Sequence, residues 1–526
     1  MKYALLLAAC SAWAQNGNII PLSAKARIEL ISPAAFRVQR GKLPSVARQV
    51  SVDAVERKLI ESESQVRIET DELTITYERK PALLAVAIPA GLNVYQEAAA
   101  STAALHLDIK ASEGIYGLGP RTETSMDARG LSFAPRTPFF LSSRGYALWL
   151  SSPMAMIDVG AASPTRLRIE TTSPETLEYH FAFGPSIKEI LEQRHKVIPA
   201  ITTPMGPDLA MISMPRLPAA ATALPKFTQT GGALLCADAA AMAHASLSGS
   251  LMPAFDIARY RSADDAVFAR ALRLGTFSPI LYDSAPDPQP GPRSEMVEAA
   301  RTQRRRLSHF LLTYADEARY RGYPVFHPLR MQFPRDPEAG RRIDAFMFGD
   351  EFLLSPVCDG AAKKELYLPM GLWTDWNTGQ VHTGRRTVSI DVPQDGLIIL
   401  LKNGSIVPLS GVKAGDPTEL HYFPRNGGEF FLYEPEASDY SQAHAGPAAG
   451  IYRMEMESKV ARRYEWVIHH MDKPVAVQEP EGPPYTETTA EGPLAPRHWR
   501  YDAARRLLHV GIDAAAHSDV IVNARY

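Results

Sequence analysis

Glutamate is missing from the whole central stretch between Gln193 and Ser294, where Asp208, Asp238, Asp256, Asp264, Asp265, Asp283 and Asp287 are the only acidic side chains. Cysteine is nearly as scarce. Of 526 residues only Cys10, Cys236 and Cys358 carry a thiol, which excludes a disulfide framework and a cysteine-based zinc site. A single bridge between Cys236 and Cys358 is compatible with the sequence but not demanded by it. No charge sign dominates: the net charge is −2, without a long block of one sign, so there is no electrostatic case for nucleic acid or an anionic membrane surface. The one basic run, Arg304-Arg305-Arg306, falls inside a helical pattern and reads as a solvated helix face. Beyond the N-terminus no segment reaches the ~18–20 uninterrupted apolar residues of a membrane span. A Gly-rich phosphate loop, a Gly-x-Ser-x-Gly elbow and a His-Glu-x-x-His pair are all absent. The 14 histidines are scattered. His469-His470 lies in a predicted strand, where neighbouring side chains point to opposite faces and cannot share a metal. His244, alone in an Ala-rich stretch, reads as a packed core residue. No metal and no cofactor is expected.

What is present describes an ordinary multi-domain globular chain, 45% hydrophobic and 22% charged. Lys2, the apolar run Tyr3 to Ala9 and Ala12-Trp13-Ala14 read as an export signal over residues 1–14, which places the mature chain in the periplasm or outside the cell. A rival reading takes Leu7-Ala8-Ala9-Cys10 as a lipobox and Cys10 as the lipidated terminus of a lipoprotein. From about Ile19 to Phe183 the pattern alternates, as in Gln65 to Thr70 and Glu72 to Tyr77, split by Asp71 as a turn residue; this predicts a β-sandwich over 19–200. A helix capped by Ser186 follows to Val197. Thr202 to Ala245 has weak periodicity, with Ala233 to Cys236 as a candidate buried strand. Ser262 is the expected cap of a helix over Ala263 to Leu274, and Ser294 that of one long helix over Glu295 to Arg321. Between them the proline-rich stretch Ala285 to Pro292 cannot be helical. Strand character returns after Pro324, in one unit to about Leu409 and a second to Tyr526.

The order of motifs resembles glycoside hydrolase family 31, the α-glucosidase and α-xylosidase family. Ile115-Tyr116-Gly117-Leu118-Gly119 looks like the family's loop that dips toward the active site, and Thr137 to Tyr146 like its next signature. Phe183-Gly184-Pro185-Ser186 is similar to the turn leaving that sandwich. Leu247-Ser248-Gly249 with Phe255-Asp256-Ile257 resembles the end of the seventh barrel strand, and Leu274 to Pro279 the approach to the eighth. Arg321 to Val325, Phe348 to Val357, Leu366 to Pro369 and Trp373 to Gly379 are similar to the barrel exit and the sandwich behind it. Leu432-Tyr433-Glu434 fits the distal sandwich. The resemblance implies a multi-domain, β-rich fold with an α/β centre. Its parts would be the N-terminal sandwich, a partial (β/α) barrel remnant over 201–330, and two C-terminal β-sandwich domains over 331–410 and 411–526. A closed (β/α)8 barrel takes about 250 residues, and Pro199 to Tyr323 offers about half of that.

Retaining hydrolysis of a glycoside needs a nucleophilic carboxylate and an acid about 5–5.5 Å apart. The family's nucleophile motif, aromatic-x-Asp-x-Asn-Glu, has no match here, and no nucleophile is identified. Asp238 falls where the resemblance places the acid/base, but without the family's Trp and Gly around it; the alternative is an N-cap or loop residue. Asp256, Phe277 and Ser284 are the candidate sugar-binding residues, with Tyr282 and Ser284 standing where the family carries Arg and His. Asp264 and Asp265 read as first-turn helix charges, Asp283 and Asp287 as turn residues, and Trp373-Thr374-Asp375-Trp376 as a β-turn with aromatic packing. The expectation is an exported relative of α-glucosidases and α-xylosidases, catalytically impaired and at most glycan-binding, with α-linked oligosaccharides or glycosides as partners. The alternative is an active glycosidase with rearranged carboxylates.

Overall fold

The computed structural model describes residues 17–43, 53–122, 125–152, 154–172, 175–198, 221–285, 291–413, 415–448 and 450–526. The export signal, Cys10, Asp208, Asp287 and most of the proline-rich stretch lie outside the described residues. Among those described, no helix is long and apolar enough to cross a membrane. The chain is β-rich with few helices, and its contacts divide it into two compact units.

The first unit comprises Met1–Ala200 with His244–Ser250 and Arg321–Tyr323. It holds a seven-stranded and a nine-stranded sheet, antiparallel throughout. The expected alternation is there: Gln65–Glu69 and Thr74–Arg79 put Val66, Ile68, Ile75 and Tyr77 inside. These residues meet Ile28, Val38 and Phe181 of the other sheet in one core, which makes the unit a β-sandwich. Asp71 lies in the connecting turn. Ser186 caps the helix Ile187–Val197, with Glu189 completing a capping box.

In the second unit three short strands, Ala221–Ala223, Met252–Asp256 and Ile280–Tyr282, pair in parallel in that order. Helix Gly231–Ser246, of which the part up to Ala243 belongs to this unit, connects the first two strands, and helix Asp265–Thr276 the last two. Ala233 to Cys236 is therefore helical and not a strand. The Gly231–Ser246 segment is buried on nearly every side from Leu234 onward, so its apolar residues make no stripe for periodicity to detect. Its Cys236 is bridged to Cys358, with Cα atoms 5.9 Å apart.

The other helices depart from expectation in instructive ways. The cap of Asp265–Thr276 is Asp264, whose carboxylate accepts from Val267 N at 2.8 Å. Ser262 loses that place because a 3-10 turn at Ile257–Tyr260 runs on through Ala263 N donating to Tyr260 O. The predicted single helix to Arg321 is two, Pro292–Arg306 and Ser308–Arg321, the first starting after Gly291 and not at Ser294. Arg304 is no solvated residue. It is fully buried and donates to the carbonyls of Gly275, Thr276, Ser278 and Pro279, closing the C-terminal end of the neighbouring helix.

After Phe326 the unit is mostly sheet, apart from the short helical turns Leu329–Gln332 and Ala339–Arg341. A six-stranded sheet from Phe326–Pro328 to Val381–Thr383 shares a core with the pair Lys363–Leu368 and Arg386–Asp391, around Trp373, Leu353 and Leu400. Asp375 accepts from Asn377 N and Thr378 N, a turn as expected. A further six-stranded and a five-stranded sheet follow from Ile406 to Arg525. His469-His470 lies just past the end of strand Arg462–Ile468 and not within it, and His469 Nε2 sits 3.1 Å from His421 Nδ1. Among the described residues no group of three or more His, Cys, Asp or Glu is arranged to hold a metal ion.

Candidate functional site

The carboxyl ends of parallel strands are where α/β sheets place ligands, because the loops leaving them are free to diverge. Asp256 and Tyr282 end two neighbouring strands here and are register partners. The chain then turns at Asp283 and Ser284, which brings Ser284 onto Asp256. Ser284 Oγ donates to Asp256 Oδ2 at 2.6 Å and Ser284 N to Oδ1 at 3.1 Å, while Ala258 N donates to the same Oδ1 at 3.0 Å. The Tyr282 phenol also bonds to Asp256, and burial together with that charge pushes its pKa up to about 12. Two sequence-predicted residues, Asp256 and Ser284, are thus joined, but as a clamp between two loops. The carboxylate that would meet a sugar already accepts from a phenol, a hydroxyl and two backbone amides.

Asp238 is neither cap nor loop; it lies inside the Gly231–Ser246 helix with its side chain wholly buried. One oxygen is 2.6 Å from the Arg259 guanidinium and the other accepts from Tyr260 OH at 2.8 Å. Burial pushes its pKa up to about 6, against the pull of Arg259 and Tyr260. The charge on Asp256 adds to the rise, so the two carboxyl groups sense one another. A pKa near 6 suits a general acid. The geometry does not: a protonated Asp238 must displace a donor to offer its own proton, and its oxygens have no solvent access.

Phe277 is 1% exposed, edge-on to Phe348 and Phe352 in an aromatic cluster. It does not join Asp238, Asp256 and Ser284. Asp283 pairs with Arg261, and Asp265 with Arg293. The residues that sequence reasoning missed are Arg259 and Tyr260, which neutralise and seal Asp238. Their signal was local: a cation and a phenol three and four residues past a strand-end Asp, on a tight turn that presents both to one side.

In the first unit the motif loop Ile115 to Gly119 carries three successive positive φ angles, +94° at Gly117, +70° at Leu118 and +96° at Gly119. A side chain at Gly117 would meet the Leu247 carbonyl at 2.8 Å, and Gly119 N donates to Ser248 Oγ at 2.7 Å. His244 is buried as expected, 3.2 Å from Arg121.

Residues 322–407 match the Glycosyl hydrolase family 31 C-terminal domain. The alpha-xylosidase of Saccharolobus solfataricus is 28% identical over 188 residues, 33% of this chain and 26% of that protein. Alpha-glucosidase 2 of Bacillus thermoamyloliquefaciens is 31% identical over 143 residues, 26% of this chain and 18% of its own. The SITS-binding protein of Tetronarce californica is 36% identical over 129 residues, 23% and 18% of the two chains. The chain therefore matches only about a quarter or less of these relatives' own length. In fold it is similar to the Flavobacterium johnsoniae GH31 dextranase complexed with isomaltotriose, with TM-score 0.79 at 15% identity, covering 97% of this chain and 100% of that one. It is equally similar to the cycloalternan-forming enzyme of Listeria monocytogenes in complex with a pentasaccharide, with TM-score 0.79 at 13% identity, covering 97% and 76%.

Proposed function

The chain belongs to glycoside hydrolase family 31, and from that premise we propose an exported protein of carbohydrate metabolism that binds α-linked glycans and has lost double-displacement hydrolysis. The observation that carries the reading is the state of the two central carboxylates, one on a helix and one at a strand end. Asp238 is sealed between Arg259 and Tyr260, and Asp256 is saturated by its own loops. A nucleophile needs an open lone pair, and an acid needs a free proton aimed at the leaving oxygen.

In this reading the three parallel strands and their helices are a remnant of the family's barrel, which follows in the sequence an N-terminal sandwich over 19–200 and precedes C-terminal sandwiches over 331–410 and 411–526, with residues 1–14 as the export signal. The ligand class is taken from relatives whose names specify α-xylosidase and α-glucosidase and from neighbours holding isomaltotriose and a pentasaccharide. A relative named for binding supports the non-catalytic side of the reading. One observation favours the alternative of an active glycosidase: the Asp238 carboxyl titrates near 6, within reach of acid catalysis.

The test is purified full-length protein against aryl α-glucosides and α-xylosides, with calorimetric titration of isomaltose and maltose oligosaccharides in parallel. Binding without release of the aryl group is expected. Turnover that Asp238→Asn abolishes would replace this reading with the alternative.

A further inference from the structure

The second unit also holds a recess of about 410 Å³, at the small end of the ~300–1,000 Å³ typical of small-molecule sites. Asp238, Asp256 and Ser284 take no part in its lining. One wall is aromatic, built from Phe277, Phe352 and the partly exposed Trp376. The opposite wall is one face of helix Pro292–Arg306, where Thr302, Gln303 and Arg306 follow at helical spacing. Trp376 is held at its place by Phe352 and Phe423, ring centroids 5.9 and 6.2 Å away.

The recess combines a flat apolar surface with convergent hydrogen-bonding groups and no net charge. Arg306 pairs with Glu419 at 2.5 Å and the nearby Arg273 with Asp395 at 2.9 Å. Burial would raise the Glu419 carboxyl, but the His421 hydrogen bond and the Arg306 charge outweigh it, so Glu419 stays an acceptor. Both guanidinium groups are therefore neutralised, which disfavours a phosphate or another anion. A neutral polyhydroxylated ring fits instead. Its axial C–H face would stack on an aromatic ring, and adjacent hydroxyls would donate to the Thr302 hydroxyl oxygen while accepting from the Arg306 guanidinium and the Gln303 amide.

We propose that this recess binds one or two pyranose rings, with Trp376 as the stacking platform and Thr302, Gln303 and Arg306 as hydroxyl partners, Glu419 holding the Arg306 guanidinium in place. The site is separate from Asp238 and Asp256, so it stands or falls independently of whether those retain chemistry.

The test is calorimetric titration of the full chain with isomaltose, maltose and methyl α-xyloside. Trp376→Ala removes the platform. Because that change also touches packing, Ala299→Trp, at an exposed position on the rim of the same recess, is used to fill the mouth from outside; unchanged thermal melting checks that both variants fold. Saturable binding by the unmodified chain is expected, weakened at least tenfold in both variants and retained in Asp238→Asn. Binding that survives both recess variants overturns the inference, as does a complete absence of binding. Binding lost only in Asp238→Asn overturns it too, while leaving glycan binding around Asp238 in place. Release of aglycone from aryl glycosides bears on the hydrolysis question alone.

Discussion

Two of the buried carboxylates, one in the sandwich and one in the α/β centre, are each sealed by an arginine and a tyrosine. In the sandwich, Glu97 is 2.6 Å from Arg40, accepts from Tyr179 OH at 2.6 Å and from Leu84 N at 2.7 Å. In the α/β centre, Asp238 meets Arg259 and Tyr260. The chemistry is the same, and only the second lies where the family resemblance suggests catalysis. Since the first arrangement serves packing in the middle of a sandwich core, the second needs no catalytic explanation. What separates them is the number of donors. Glu97 has a backbone amide and a second phenol, Tyr95, in addition to Arg40 and Tyr179, whereas Asp238 has Arg259 and Tyr260 alone against its burial and is pushed up to about 6.

The comparison breaks if the two sites respond differently to truncation. Glu97→Ala leaves the Arg40 charge buried and unpaired and is expected to cost about 3–5 kcal/mol, read by denaturant unfolding of the full chain. The helix carrying Asp238 has a second anchor that the sandwich site lacks, the Cys236–Cys358 bridge across 122 residues. Replacing both cysteines by serine should lower stability by about 2–4 kcal/mol. A negligible change would mean that the centre holds Asp238 in place without its staple.

Asp238→Asn sharpens the comparison through pH. The folded carboxyl titrates near 6 against an ordinary value of 3.8, so between those values the folded state binds more protons than the unfolded one, and stability falls as pH rises through the window. The asparagine variant should show a flatter stability profile from pH 4 to 6 and differ from the parent by about 1–2 kcal/mol at pH 7. An unchanged slope would show that Asp238 does not titrate there. The smallest effect is expected at the loop clamp: Ser284→Ala removes one hydroxyl bond to Asp256, worth about 0.5–1.5 kcal/mol, measurable as a small shift of the thermal midpoint.

Much of the sandwich was legible in the sequence, because a strand with one buried face alternates and Val66, Ile68, Ile75 and Tyr77 do so. The Ser186 cap was legible for the same local reason. The centre was less so. A helix buried nearly all round, such as Gly231–Ser246, carries no stripe, and its alanines mimic a buried strand. Arg304 looked solvated because its four carbonyl partners lie on another helix end and the turn after it, some 25 to 29 residues away in sequence. At the candidate site, the type and place of Asp256 and Ser284 could be read from motif order, but not their hydrogen bond to each other. The sealing of Asp238 depends on a turn that also displaced Ser262 from its expected capping role, and tertiary geometry of that kind leaves no periodic trace.

The central claim is that neither Asp238 nor Asp256 is free to attack a sugar. Incubation of the full chain with 5-fluoro-α-glucosyl fluoride and 5-fluoro-α-xylosyl fluoride, followed by intact-mass measurement, tests it most directly, since a retaining nucleophile is trapped as a covalent ester. The account predicts an unmodified mass. A gain of one fluoroglycosyl unit, mapped by peptide analysis to Asp238 or Asp256, would contradict it.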